Sequence, residues 1–225
     1  MALRVKLGMW QFERYQLRHE LTKKITAGLS TEPITLTGKN QKSADAWMKI
    51  TTVGRYEPEK QTLFRGHYFQ DRYGLEVLSL FIPADKNIPP IWVDRGWIET
   101  SSSAATNMPI PLPQSGMITI SGILKKYDEA SQSRGALFAL PAPRIGRIDE
   151  RSLQQTFSGE TFFLYLKLQK ESSPSSSKSE FSALQISPLT PPGEGPHLAY
   201  AIQWWLFALL IAGTRIALYR GERSL

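Results

Sequence analysis

The chain contains no cysteine. That excludes disulfides, thiolate metal sites, cysteine nucleophiles and haem attached through Cys-x-x-Cys-His. Histidine is scarce too: His19, His67 and His197 are the only three in 225 residues, and they lie far apart in sequence. There is no phosphate-binding Gly-rich loop, no Gly-x-Ser-x-Gly elbow and no His-Glu-x-x-His helix. No nucleophile with a base partner can be named, so no catalytic residue is assigned and the chain reads as a non-enzyme. Lys and Arg are missing altogether from residues 182–202. The net charge of +7 sits near the first helix and at the tail, where membrane topology accounts for it, so nucleic acid is not expected as a partner.

What the chain does have is a long apolar run near its end. Residues 198–219 would span roughly 33 Å as a helix, about one hydrocarbon core. Only Gln203, Thr214 and Arg215 interrupt the run, whereas a buried core helix keeps a polar stripe at helical period. Arg215 is near enough to the end to snorkel, and Trp204, Trp205 and Tyr219 suit the two interfaces with lipid. The basic residues Arg215, Arg220 and Arg223 follow the run, which predicts a cytoplasmic tail and an external domain before it. Residues 1–10 offer no apolar stretch long enough for export. Two expectations stay open: a first membrane helix begins upstream and ends near Leu7, or the domain is cytosolic and the charge rule fails.

At 225 residues, 41% of them hydrophobic, the chain has room for one globular domain and its anchor. Apolar Leu3, Leu7, Trp10, Leu17 and Leu21 recur at helical spacing among basic residues, predicting an amphipathic, membrane-proximal helix over residues 1–25. A β-rich domain is expected over 26–188, then a Pro/Gly-rich connector at 189–197, the spanning helix at 198–219 and a tail at 220–225. Short β-favouring runs fall at 34–37, 46–56, 61–69, 75–82, 91–98, 117–127, 161–169 and 181–186, bounded by Gly, Pro, Asn and Asp. The run 75–82 is apolar on both faces, as expected of a central strand buried between layers. Segments 101–115 and 172–179, rich in Ser, predict exposed connections. The expected class is mainly β with membrane helices: an antiparallel β-barrel or sandwich-like extracytoplasmic domain between the two helices.

Two sites stand out. His197 immediately precedes the apolar run, and on helical geometry it shares a face with Tyr200, Ala201 and Trp204. A neutral imidazole there can ligate haem iron with aromatic side chains packing the macrocycle, or it can serve only as a helix-start residue bonded to backbone or headgroups. The second site is Trp92-Val93-Asp94-Arg95-Gly96-Trp97. Gly96 inside a strand-like run predicts a bulge or a close backbone approach. Arg95 is free to pair with Asp94 or another acid, or to stack on Trp92 or Trp97, and a structural role is expected of it.

Taken together, these stretches resemble the Surfeit locus protein 1 family of cytochrome c oxidase assembly factors. The match is carried by Gly8, Trp10, Gln11 and Arg14, then Gly66-His67-Tyr68-Phe69 with Gly74-Leu75-Glu76-Val77-Leu78. It continues through Trp92 to Trp97, Gly122, His197-Leu198-Ala199-Tyr200-Ala201 and Gln203-Trp204-Trp205. The resemblance implies a multi-pass protein of the cell (inner) membrane with its main domain outside, acting in maturation of haem-copper oxidases. It implies haem a as a transient cofactor, His197 as the suggested iron ligand with Tyr200 beside it, and the large oxidase subunit as partner, with the haem a synthesis machinery as a further one. The alternative is a scaffold that binds no haem and stabilises an oxidase assembly intermediate. Where the family usually carries Asn, this chain has Asp94, which loses a side-chain donor.

Overall fold

A computed structural model describes residues 2–100, 109–128, 143–172, 184–186, 189, 193 and 195–222, without the side chains of residues 65–67 and 222. The predicted connections at 101–108 and 173–179 lie outside the described residues, as do 181–183 of the last expected strand and most of the connector. The chain divides into two compact units, Gly28–Leu189 and a helical unit made from Met1–Ala27 with Thr190–Leu225.

The larger unit is a closed five-stranded barrel with additional short elements. Its strands are β2 (Lys49–Phe69), β3 (Arg72–Pro83), β4 (Ile91–Glu99), β5 (Ile118–Lys126) and β7 (Leu164–Ser172). Around the barrel the order is β2, β3, β4, β7, β5 and back to β2. Closure depends on the length of β2. Its first part, from Lys49 to Gly54, pairs with β5, and the remainder pairs with β3. The expected strands 46–56 and 61–69 are therefore one strand, bent by a register shift between Glu57 and Gln61. Pro58, which has no N–H to give to a ladder, falls inside that irregularity. The β2–β3 hairpin turns on Gln70 and Asp71, both at positive φ (51° and 61°), the conformation of a two-residue turn that matches strand twist. Four seams are antiparallel, and the fifth, between β4 and β7, is parallel.

Among the described residues four small elements complete the unit: β1 (Ile34–Thr35) and β6 (Arg144–Ile145), each parallel to β2, a 3₁₀ turn (Gln41–Ser43) and the short helix α2 (Glu150–Leu153). The interior is filled by a cluster to which all five barrel strands contribute, including Ile50, Phe81, Val93, Ile120 and Leu166. On the opposite face of β3, Leu78 and Leu80 pack with Trp92 and Tyr165 against Ile145, Ile148 and Leu153. β3 is consequently covered on both faces, which is why its sequence shows no polar alternation. Of the strand expected at 181–186, the described residues 184–186 make one bridge, Gln185 to Trp97.

The helical unit consists of α1 (Ala2–Ser30) and α3 (His197–Glu222). From His197 to Gly221, α3 is long and apolar enough to cross a membrane. α1 is longer than the expected 1–25, and its Leu stripe does not organise it: Leu3, Leu17 and Leu21 are exposed. Residues of α1 that meet α3 include Gly8, Gln11 and Phe12, spaced at one helical turn.

Candidate functional site

The Gly-x-Trp-Gln-x-x-Arg pattern of α1 becomes legible against α3. A Cβ built on Gly8 would lie 2.2 Å from the indole nitrogen of Trp205, so only glycine admits that ring. Phe12, one turn on, packs its ring 5.8 Å from the same indole. Arg14 sits over the Trp10 ring on the helix itself. Gln11 lies between these contacts and reaches the start of α3, where its Oε1 is 2.9 Å from Nδ1 of His197. An amide oxygen only accepts, so in this arrangement Nδ1 carries the proton and donates it.

A neutral imidazole protonated at Nδ1 keeps its lone pair at Nε2. Among the described residues, Nε2 has no hydrogen-bond partner. Gly195 lies beside that edge: a Cβ there would come within 3.3 Å of Cδ2 and 3.5 Å of Nε2. Among the described residues, the ring edge that would face an iron is therefore left clear by a glycine, while the other ring nitrogen is held by a neighbouring helix. This is the donor arrangement of a metal-ligating histidine, oriented by a bond to its second nitrogen. Tyr200 follows one turn later and is 47% exposed, without a ring contact to His197 among the described residues. Of the face anticipated for the site, Ala201 is buried and Trp204 packs edge-on against Phe207. The structure thus joins His197 to Gln11, not to Tyr200.

The barrel holds two buried polar clusters. In the first, Lys167 Nζ donates to Glu76 Oε1 (2.9 Å) and to Asp94 Oδ2 (2.7 Å), while Asp94 Oδ1 accepts from the Gly96 N–H (3.1 Å). Burial and the Glu76 charge push the Asp94 carboxyl up to about 6, although Lys167 opposes them. Lys167 faces two carboxylates and is held charged. The second cluster is built on Arg95, the extra residue of a bulge in which Val77 pairs with Gly96 and Leu78 with Asp94. Arg95 donates to Gln61 Oε1 (3.0 Å) and to the carbonyls of Pro111 (2.8 Å) and Leu112 (3.2 Å), and it sits over the Tyr56 ring. The bulge turns it toward these groups, and Glu171 is the acid that acts on its charge. Gly96 follows at φ +129°, and a Cβ there would lie 2.7 Å from the Gln185 carbonyl, so both the bulge and the close approach are present. Both clusters are internal, and among the described residues no group of three His, Asp or Glu side chains gathers as a metal site.

Comparison with known proteins gives these positions a common context. The family model for the SURF1 family matches residues 1–209. The chain belongs to the SURF1 family. This is a family of cytochrome oxidase assembly proteins. The chain is 26% identical over 209 residues to uncharacterized SURF1-like proteins of Mycobacterium bovis and Mycobacterium tuberculosis, covering 91% of this chain and 73% of each relative. The motif residues that define the SURF1 resemblance therefore fall into two structural groups. Gly8, Gln11, His197 and Trp205 meet in the helical unit, while Glu76, Asp94, Arg95 and Gly96 build the buried polar framework of the barrel. Asp94 acts as an acceptor for both of its partners, so the loss of an Asn donor there leaves no described bond unmade. Lys167 was not apparent from sequence. Its available signal was a lone cation in the strand Leu-Tyr-Leu-Lys-Leu, where charge at a buried position demands a partner.

Proposed function

We propose that the protein is a membrane-anchored assembly factor for a haem-copper oxidase that assists delivery of haem a to, or its insertion into, the large catalytic subunit. In this reading α3 is the anchor, the barrel is extracytoplasmic, the C-terminus is cytoplasmic and the intact protein crosses the cell membrane more than once. The observation that carries the reading is His197 at the start of an apolar helix, held at Nδ1 by Gln11 with the Nε2 edge open beside Gly195. His197 would hold the iron of haem a through Nε2, and the exposed Tyr200 ring one turn on would cover part of the macrocycle. When bound, haem a would supply an iron that a histidine nitrogen can ligate. The chain's own part is to orient that nitrogen at the level of the membrane boundary, from which a partner subunit within the bilayer can be reached. The barrel interior is filled by side chains, which favours a site on the helical unit over one inside the barrel.

The test is co-purification of the unassembled large oxidase subunit, from cells making haem a, with tagged wild-type protein and with His197→Ala. Both are expected to retain the subunit, and only wild type to carry haem. Retention of the subunit with no haem on wild type would favour the scaffold reading. Retention of neither would remove oxidase assembly as the function of this chain.

A further inference from the structure

We infer that Gln11 is the positioning residue of the candidate iron site: by accepting from Nδ1 it fixes His197 in the Nδ1–H tautomer and presents Nε2 as the ligating atom. The inference rests on the reading of His197 as an iron ligand for its purpose, but its tautomer content stands by itself. The geometry has three parts. The 2.9 Å contact joins Gln11 Oε1 to Nδ1. Gln11 is in turn placed by the neighbouring packing, because Gly8 and Phe12 on the same side of α1 close on Trp205, eight residues along α3 from His197. Gly195 then adds no side chain at the Nε2 edge.

The chemistry follows from the two nitrogens being distinct. A histidine whose Nδ1 is held by an acceptor has its ring orientation and tautomer set before any metal arrives. Were the Gln11 amide reversed, its NH₂ would donate to Nδ1 and the proton would move to Nε2, which could not then ligate. The two arrangements are opposite in outcome, so the inference is decidable. It also gives the Gln of the Gly-x-Trp-Gln pattern a task that neither helix propensity nor interfacial anchoring supplies. Glycine at 8 admits the indole, and glutamine one turn later addresses the histidine.

The test uses the full chain in lipid nanodiscs, with histidine ¹⁵N-labelled and the His197 signals assigned by their absence from His197→Ala. Two-bond ¹H–¹⁵N correlations above pH 7.5 report the tautomer without any haem present. Wild type is expected to show Nδ1 protonated and Nε2 bare. Gln11→Leu should lose that preference, and Gln11→Glu, which keeps an acceptor, should retain it. Titration with hemin is expected to show affinity reduced 10- to 100-fold in Gln11→Leu and restored in Gln11→Glu. Protonated Nε2 in wild type, or an identical tautomer and hemin affinity in Gln11→Leu, would overturn the inference. If Gln11→Leu does not fold, the wild-type spectrum alone decides. Unchanged hemin binding in His197→Ala would instead remove the iron-ligand reading, while the tautomer result would still judge Gln11.

Discussion

Replacing Asp94 with Asn should remove the barrel's loss of stability between about pH 4 and pH 8, although it also removes one arm of a buried ion pair. Lys167 faces two carboxylates, Glu76 at 2.9 Å and Asp94 at 2.7 Å, so the buried cluster holds one negative charge too many. Burial and repulsion from Glu76 raise Asp94 from 3.8 to about 6. A carboxyl whose folded value exceeds its unfolded one contributes its full stability below about pH 4 and loses it as pH rises through about 6. At about 1.4 kcal/mol per pH unit, that displacement corresponds to at most about 3 kcal/mol lost by pH 8. In Asp94→Asn the one amide oxygen can keep only one of the two bonds that Asp94 accepts; kept on the Gly96 N–H, it leaves the NH₂ where Oδ2 accepted from Lys167 Nζ, so that bond is lost and Lys167 retains Glu76. The pH-dependent loss is expected to vanish in the variant, at a pH-independent cost of about 1.5–3 kcal/mol for the lost Lys167 bond. The variant should therefore be less stable than wild type near pH 4 and close to it at pH 8, with about 2–4 °C of melting temperature per kcal/mol for a domain of this size. Lys167→Met should cost about 3–5 kcal/mol, since it strands two buried carboxylates. Urea unfolding of the full chain in detergent, followed by fluorescence of the fully buried Trp92 and Trp97, measures both. A difference between Asp94→Asn and wild type that is the same at pH 4 and pH 8 would refute the reasoning.

Three further outcomes are expected. Gly96→Val should destabilise the barrel by about 1–3 kcal/mol from backbone conformation alone, with the Gln185 carbonyl 2.7 Å from the new Cβ adding to it, and an unchanged melting temperature would contradict the bulge. Glu171 is raised from 4.5 to about 7 by burial, with only Arg95 opposing, so its contribution is intact below about pH 4.5 and lost as pH passes about 7. Its two buried carboxylate oxygens have no hydrogen-bond partner among the described residues. Glu171→Gln should therefore match wild type in stability near pH 4.5 and exceed it at pH 8, as unfolding curves at the two pH values will show. Arg95→Met should loosen residues 111–112, whose carbonyls it binds, at a cost of about 1.5–3 kcal/mol per charged bond removed, and faster amide exchange around Gln114 would report it.

Much of the barrel was legible because its strands obey local rules. The turn residues around 70–71 and 84–90, and the two-faced apolar run of β3, locate strands without tertiary information. What could not be read was set by contacts distant in sequence. Pro58 reads locally as a break between strands, yet β2 passes through it because its two halves pair with different partners. The parallel seam of β4 with β7 depends on the path between Glu99 and Leu164, which strand propensity does not encode. Arg95 reads as a strand residue with an acidic neighbour, but the bulge turns it toward Gln61 and the 111–112 carbonyls. In the helical unit, the apolar length of α3 announced itself, while the role of Gln11 required knowing which residue of another helix, 186 positions away, faced it.

Whether His197 holds haem is the most direct question to put to this protein. Full-length protein and His197→Ala, purified from membranes of cells making haem a, should be compared by pyridine haemochrome spectrum, with circular dichroism confirming that both are folded. As a half-buried helix-start residue with one side-chain hydrogen bond, to Gln11, His197 contributes about 0.5–1.5 kcal/mol of stability through that bond, so the variant is expected to fold. Haem a is expected on the wild type, with its loss, or an altered axial-ligand spectrum, in His197→Ala. Equal haem content and identical spectra in the two folded proteins, or a wild type without haem, would contradict a haem-delivering role for His197.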